Sequence, residues 1–377
     1  AVLVSAGLLL RSLSELRSVD PGFRVENVLS GRIIFPSARY EETSEVGAHL
    51  ERLEERLEAV PGVRAAGATS VLPLAGLVHD VSFGIEGRLP EPGEVPAADE
   101  RHVTPGFFSA MQVPLLRGRV FDRTDREGAP PVAVVSESFA ERYFSGEDPV
   151  GRRIRIGAVR DPESLWWTIV GVVGSVRSRA LDRDPEPEIY VPMAQWALRG
   201  VSLVIRAERD AAGLAVPLRE AVLSLDPDMP VAQLATLEDL FAASLAPDRF
   251  LSTLLGLFAV LALVLGAVGI YGVMVFMVSR RTREIGVRMA LGARPADVLR
   301  AVMTRGVWLV LGGLALGTLG AVAASRALSS LLFEVSPTDP VTLIAVAAVL
   351  AAAALFACWW PARRATRVDP AVTLRAE

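Results

Sequence analysis

The chain of 377 residues contains no lysine: all 39 of its strong cations are arginine. We read that as a base-composition bias of the source genome. It excludes a P-loop, whose Gly-Lys-Ser/Thr ending grips nucleotide phosphates. There is one cysteine, Cys358, inside an apolar run. Neither an intrachain disulfide nor a thiolate metal site can form. The three histidines, His49, His79 and His102, share no metal-ligand spacing. His49 is expected on a solvated helix face. No G-x-S-x-G nucleophile elbow occurs. Asp122 and Asp125 lie close together in FDRTDREG, but Arg119, Arg123 and Arg126 interleave. A solvated turn is the expected reading there, not an acid–base pair. Nothing in the sequence argues for an enzyme, a bound metal or a cofactor, and none is expected.

Long apolar runs are what the chain does have. They cover Phe250 to Val278, Gly306 to Ala324 and Val341 to Trp360, and none contains Asp, Glu or Lys. Each is near the roughly 20 residues that cross a bilayer. Without buried ionisable groups, a proton- or ion-coupled path is disfavoured. Between the first two runs lie seven arginines (280, 281, 283, 288, 294, 300 and 305) against only Glu284 and Asp297. Short loops with such an excess stay in the cytoplasm and lie on anionic lipid. The third run ends in Trp359 and Trp360, followed by PARRATR, which marks another cytoplasmic exit. Acidic residues outnumber arginines in the region before residue 279. This charge split fits a polytopic membrane protein and not a nucleic-acid binder. The ten apolar residues at the start are too few to span. They read as the end of a truncated membrane helix, 1–11. The expected order is then an extracytoplasmic domain, 12–247, and a three-span region, 248–377, with spans near 250–278, 306–325 and 341–360.

The outer domain reads as α+β. Val25 to Phe35 has strand character. Tyr40 to Val60 has the pattern of an amphipathic helix with Leu50, Leu53 and Leu57 on one stripe. Val63 to Leu72 can be a second strand. Val201–Ala207, Ala211–Leu225 and Val231–Leu234 repeat the strand–helix–strand order. Between the two units, strands are expected at Val81–Ile85, Val132–Val135, Ile154–Ile156 and Thr168–Val173, with short helices at Pro105–Met111 and Ser136–Phe144. The expected fold is two strand–helix–strand units with an inserted subdomain, joined to an α-helical transmembrane bundle. Thr236 is a plausible N-cap for the helix to Leu245, and Pro247 breaks or kinks the chain before the long membrane helix.

Two features of the membrane half point to partners. Gly266, Gly269 and Gly272 run along the first span, and Gly313 and Gly317 form GxxxG in the next. Small residues of this kind let helices approach closely. REIGVRMALGA, from Arg283, can form a short helix with Ile285 and Met289 one turn apart and Gly292 at its end. Pro295 then opens the following helix. The pattern is more ordered than a positive-inside anchor requires, and a docking element for a cytoplasmic partner accounts for it.

RRTREIGVRMALGARPADVL, SPTDP and PARRATRVDPAVTLR, with the three spans, resemble the MacB/FtsX-like permease family of ABC transporters. SVDPGFRVENVL, PGVRAAGATSVLPLAG, VPLLRGRVF and PPVAVVSESFAERYF resemble its MacB-type periplasmic core domain. The dialect is nearest to duplicated permeases of soil bacteria. The resemblance implies a multi-pass protein of the bacterial inner membrane that works in pairs of permease units. It implies a separate cytoplasmic ATPase that binds the ATP and docks on a coupling helix, matched here by Arg283, Glu284, Ile285, Arg288, Met289 and Gly292. It further implies export or mechanotransmission, with a periplasmic adaptor or cargo. A non-transporting scaffold that regulates a periplasmic or cell-wall enzyme is the alternative.

Overall fold

The computed structural model describes residues 2–76, 79–88, 95–157, 165–280, 295–327, 335–336 and 338–365. The chain divides into two compact units, Val19–Ala246 and a second made of Ala1–Ser18 with Pro247–Glu377.

In the first unit, both strand–helix–strand expectations are realised. Strand β1 (Val28–Ile34), helix α2 (Thr43–Glu58) and β2 (Val63–Thr69) form one; β10 (Gly200–Ala207), α5 (Ala215–Leu225) and β11 (Ala232–Thr236) form the other. The four strands lie in the order β11-β1-β10-β2, all neighbours antiparallel. This is the split β-α-β arrangement of a ferredoxin-like sheet. Alternation decides its faces. Leu29, Ile33, Ala66, Ala68, Leu203 and Ile205 meet Leu50, Leu53 and Leu57 of α2 and Leu218 and Val222 of α5 in one core. Burying each such leucine contributes about 1.5–3 kcal/mol. Val28 and Val204 face the other way, toward α3 (Phe107–Met111).

Everything between β2 and β10 is the insertion. It holds β3 (Asp80–Ile85), β4 (Ala97–Val103), β5 (Leu115–Gly118), β6 (Val132–Ser136), β7 (Arg153–Ile156), β8 (Trp166–Val173) and β9 (Glu188–Pro192), with α4 (Glu137–Tyr143) after β6. Pairing runs β4-β3-β7-β8-β6-β9, and β9 returns in parallel to β4, so these six strands close on themselves. Closure leaves no free edge among the six, while β5 is attached only to β8. β6 shows how both faces are used. Val132 and Val134 pack with Phe107 and Tyr190, while Ala133 and Val135 pack with Phe83, Phe139 and Trp167. Strands β4, β5 and β9 were not expected from the sequence.

The second unit is helical. α1 runs from Val2 to Ser18 and so continues past Arg11, where the sequence placed its exit. At the end of the first unit, Thr236 caps α6 (Leu237–Ser244) as expected, accepting from Asp239 N at 3.1 Å. α7 then begins at Ala246 with Pro247 in its first turn, where a missing N–H costs nothing, and runs unbroken for 35 residues to Arg280. At about 1.5 Å per residue it is roughly 52 Å long, well beyond the hydrocarbon core. α8 (Pro295–Ala327) opens at the expected proline, and α9 covers Pro340–Ala365. Among the described residues, Arg249–Arg280 and Pro340–Pro361 are long and apolar enough to cross a membrane, and α8 contributes a shorter apolar stretch, Val310–Ala321. Just before α9, Asp339 N donates to the Ser336 carbonyl at 2.9 Å. Asp339 accepts from Thr342 N at 2.8 Å and from Arg11 Nη1 of α1 at 2.6 Å.

Candidate functional site

Arg283, Glu284, Ile285, Arg288, Met289 and Gly292, the expected docking helix, lie outside the described residues. Its two flanks are described. α7 ends at Arg280, whose guanidinium sits 4.9 Å above the Phe276 ring, and α8 starts at Pro295. The connection therefore spans residues 281–294 between two membrane-region helices.

The five glycines have open surroundings. A β-carbon placed at Gly266, Gly269, Gly272, Gly313 or Gly317 would meet no atom within 4 Å among the described residues. Among the described residues they make no close helix approach. Gly266 and Gly269 of α7 and Gly313 of α8 instead line a cavity of about 510 Å³, closed on the α9 side by Leu350, Ala354 and Cys358. No charged residue lines it. The outer surface of α7 is exposed at Leu257, Leu261, Val264, Leu265 and Val268. Close approach does occur elsewhere in this unit. Gly7 of α1 faces Thr342 of α9, where a β-carbon would lie 2.8 Å from Thr342 Cγ2.

In the Val19–Ala246 unit the charged side chains do something the sequence did not announce. β4 and β9 run in parallel with Asp99 opposite Glu188 and Arg101 opposite Tyr190. All four side chains are buried. Arg101 donates to Asp99 Oδ2 at 2.8 Å, Glu188 Oε1 at 3.0 Å and the Val71 carbonyl at 2.7 Å. Tyr190 donates its hydroxyl proton to Glu188. Burial alone opposes the Arg101 charge, but Glu188 and Asp99 outweigh it and hold its pKa above the usual value. Burial raises the Tyr190 pKa, and the Glu188 charge adds to it. Two carboxylates and one guanidinium thus close a pin between the strands that complete the insertion. On the alternate face of β4, Glu100 Oε2 lies 3.3 Å from His79 Nδ1 and 3.8 Å from His102 Nε2. His102 Nδ1 is 2.6 Å from the Trp196 carbonyl, which can only accept, so Nδ1 carries the proton. Among the described residues no group of His, Cys, Asp or Glu is placed to hold a metal ion.

Two further expectations are corrected. His49 is not on a solvated face but buried, edge-on to Phe35 and Tyr40, and burial lowers its pKa. Asp125 is also buried, gripped by Arg119 through both terminal nitrogens at 2.6 and 2.8 Å, while Asp122 is the exposed member of the pair. Their turn is a structural clasp. Arg206 has a similar role. Its guanidinium donates to the carbonyls of Ala110, Glu26 and Arg24, fixing α3 to the chain entering β1.

The chain matches two family models, the MacB-like periplasmic core domain over residues 14–224 and the FtsX-like permease C-terminal domain over residues 256–370. It is 31% identical over 281 residues to the pyoverdine export ATP-binding/permease protein PvdT of Pseudomonas syringae pv. tomato, covering 72% of this chain and 42% of that protein. It is 30% identical over 285 residues to the macrolide export ATP-binding/permease protein MacB of Rhodospirillum rubrum, with the same coverage. The chain thus spans about two fifths of the length of these curated relatives. The periplasmic region of MacB from Actinobacillus actinomycetemcomitans aligns with a TM-score of 0.39 and 12% identity, over 62% of this chain and 97% of that one. More than half of the chain falls within the first family model and most of the remaining part within the second, so the chain belongs to the family of membrane permeases that carry a MacB-like periplasmic core domain and an FtsX-like C-terminal domain.

Proposed function

We propose that this chain is the transmembrane subunit of an ABC-type exporter or mechanotransmission complex of the bacterial inner membrane. Residues 19–246 lie on the periplasmic side, and residues 281–294 face the cytoplasm. A partner ATPase binds the ATP and docks on 283–293 through Arg283, Glu284 and Arg288 as polar contacts and Ile285 and Met289 as apolar ones. α7 carries the resulting movement. The observation behind this reading is the continuity of α7, a single 35-residue helix that starts at Ala246 and ends at the arginine-rich connection. A rod without a break transmits displacement, whereas a kinked or interrupted helix absorbs it. The family membership and the export function printed in the relatives' names support the same direction. A second permease unit is the proposed occupant of the open glycine face of α7 and α8, where among the described residues no atom lies within 4 Å of the β-carbon positions. A periplasmic adaptor or cargo engages the outer domain.

Affinity purification of the tagged chain from native membranes tests the docking step. Co-purified ATPase activity is expected to fall at least fivefold in the Glu284→Ala/Arg288→Ala double variant at equal permease yield. Equal activity in the double variant contradicts the assignment of 283–293.

A further inference from the structure

One surface of the inserted subdomain has an unpaired strand edge beside an open cavity among the described residues. β5 pairs on one side with β8 and has no strand on its other side among the described residues. All four of its residues are exposed, including Leu115 at 45% and Leu116 at 44%. Two adjacent leucines on a free edge are an invitation to strand addition, which most proteins blunt with charge or proline. Beside this edge, between β5 and α4, lies an open cavity of about 480 Å³. Its apolar walls are Leu116, Ala140, Phe144 and Val172.

The rim decides what fits. Glu137, Glu141, Glu147 and Asp148 line the cavity, and the single cation among its lining residues is Arg117. Arg117 and Asp148 are 3.9 Å apart and both well exposed, a pairing of little strength. Glu147 is occupied by Arg88 and Arg152. Glu137 and Glu141, one turn apart on α4, are exposed and have no ion pair among the described residues. An apolar slot, an unpaired strand edge and two uncompensated carboxylates together describe the complement of an extended cationic strand.

We infer that the groove between β5 and α4 is a docking site for an extended peptide segment of a partner protein, one that alternates apolar and basic side chains. Its backbone adds to the free edge of β5. An apolar side chain enters the slot beside Leu116 and Phe144, and its arginines or lysines reach Glu137 and Glu141. Main-chain pairing supplies affinity and the pocket supplies selectivity, as in other strand-addition sites. The inference concerns this surface alone and holds whichever side of the membrane the unit occupies.

The test uses the full chain in detergent and two fluorescent peptides, one of alternating arginine and valine and one of alternating glutamate and valine. Fluorescence anisotropy is expected to show binding of the basic peptide, weakened as salt rises. Glu137→Gln/Glu141→Gln should weaken it at least tenfold, and Leu116→Ser by a similar factor. The control Glu58→Gln/Glu220→Gln, which removes two exposed carboxylates elsewhere in the unit, should leave it unchanged. Hydrogen exchange should slow at Leu115–Gly118 when the peptide is bound. No binding, equal binding of the acidic peptide, or equal loss in the control variant would overturn the inference, as would protection confined to other segments. Because the Gln variants change only exposed side chains, a folding defect cannot stand in for lost docking.

Discussion

Arg101 is the residue on which the insertion turns. Its charge is buried, and so are the two carboxylates that hold it. Arg101→Met would leave Asp99 and Glu188 buried without their cation, a situation that costs about 3–5 kcal/mol. A thermal unfolding scan of the detergent-solubilised chain, followed by tryptophan fluorescence, should show a large drop in midpoint. Adding Asp99→Asn and Glu188→Gln to Arg101→Met should recover much of it. A single variant as stable as the parent would mean that the pin is not structural. Glu54 gives a pH-dependent counterpart. It accepts from Gly106 N at 3.0 Å, yet burial pushes its pKa up to about 7, against the hydrogen bonds from Thr104 and Gly106 that pull it down. The folded carboxyl therefore keeps its proton when the unfolded one, near 4.5, has lost it. Stability falls as pH rises between those two values, by up to about 3 kcal/mol. Glu54→Gln removes the titration. Its unfolding midpoint should exceed that of the parent at pH 8 and vary less from pH 4.5 to 7. Parallel profiles for the two proteins would contradict this assignment. None of these roles was legible in the sequence. A run such as Asp99-Glu100-Arg101-His102 has the composition of a solvated loop. It is buried only because β9, some 90 residues later, brings Glu188 and Tyr190 beside it. His49 and Asp125 were misplaced although their partners Tyr40 and Arg119 are only nine and six residues away, because burial of the pair depends on the surrounding packing and not on spacing.

At the scale of elements, the apolar pattern was a good guide wherever it had a period. α2 was legible from its leucine stripe, and β6, β8 and β10 from their runs of β-branched residues. β4 has no such run, β5 is only four residues long, and β9 is a five-residue strand ending in a proline. Short strands of mixed composition form because a neighbouring edge is available, which is tertiary information. The contact between β2 and α3 is another fact of this kind. A β-carbon at Gly67 would lie 2.4 Å from Phe107 N and 2.6 Å from the Gly106 carbonyl carbon, both backbone atoms that cannot step aside. Gly67→Val should therefore destabilise the unit by about 3 kcal/mol or more, with the midpoint of the tryptophan-monitored transition as the readout. A midpoint within a degree of the parent would show that α3 can move away from β2. The glycines of α7 and α8 carry the opposite lesson. Their spacing suits close helix packing, and among the described residues no atom lies within 4 Å of where their β-carbons would stand. What the sequence could show was a surface suited to another helix; which helix was not written in it.

For the molecule as a whole, charge and hydropathy placed boundaries at 11/12 and 247/248, and the two compact units divide after Ser18 and Ala246. The division was legible because membrane and water demand different compositions. The closure of six strands into a ring was not, because it depends on a parallel return of β9 to β4 over a long loop. The proposed mechanism rests on residues 19–246 and residues 281–294 lying on opposite sides of the membrane, the former in the periplasm and the latter in the cytosol. The chain's only cysteine makes this directly testable. In a Cys358→Ala background, Asp184→Cys places a thiol on a fully exposed side chain of the outer domain, and Thr282→Cys places one in the arginine-rich connection. In spheroplasts treated with a membrane-impermeant maleimide, the account predicts labelling of Cys at 184 in intact cells and of Cys at 282 only after permeabilisation. Labelling of both in intact spheroplasts, or of neither until the membrane is opened, would contradict it.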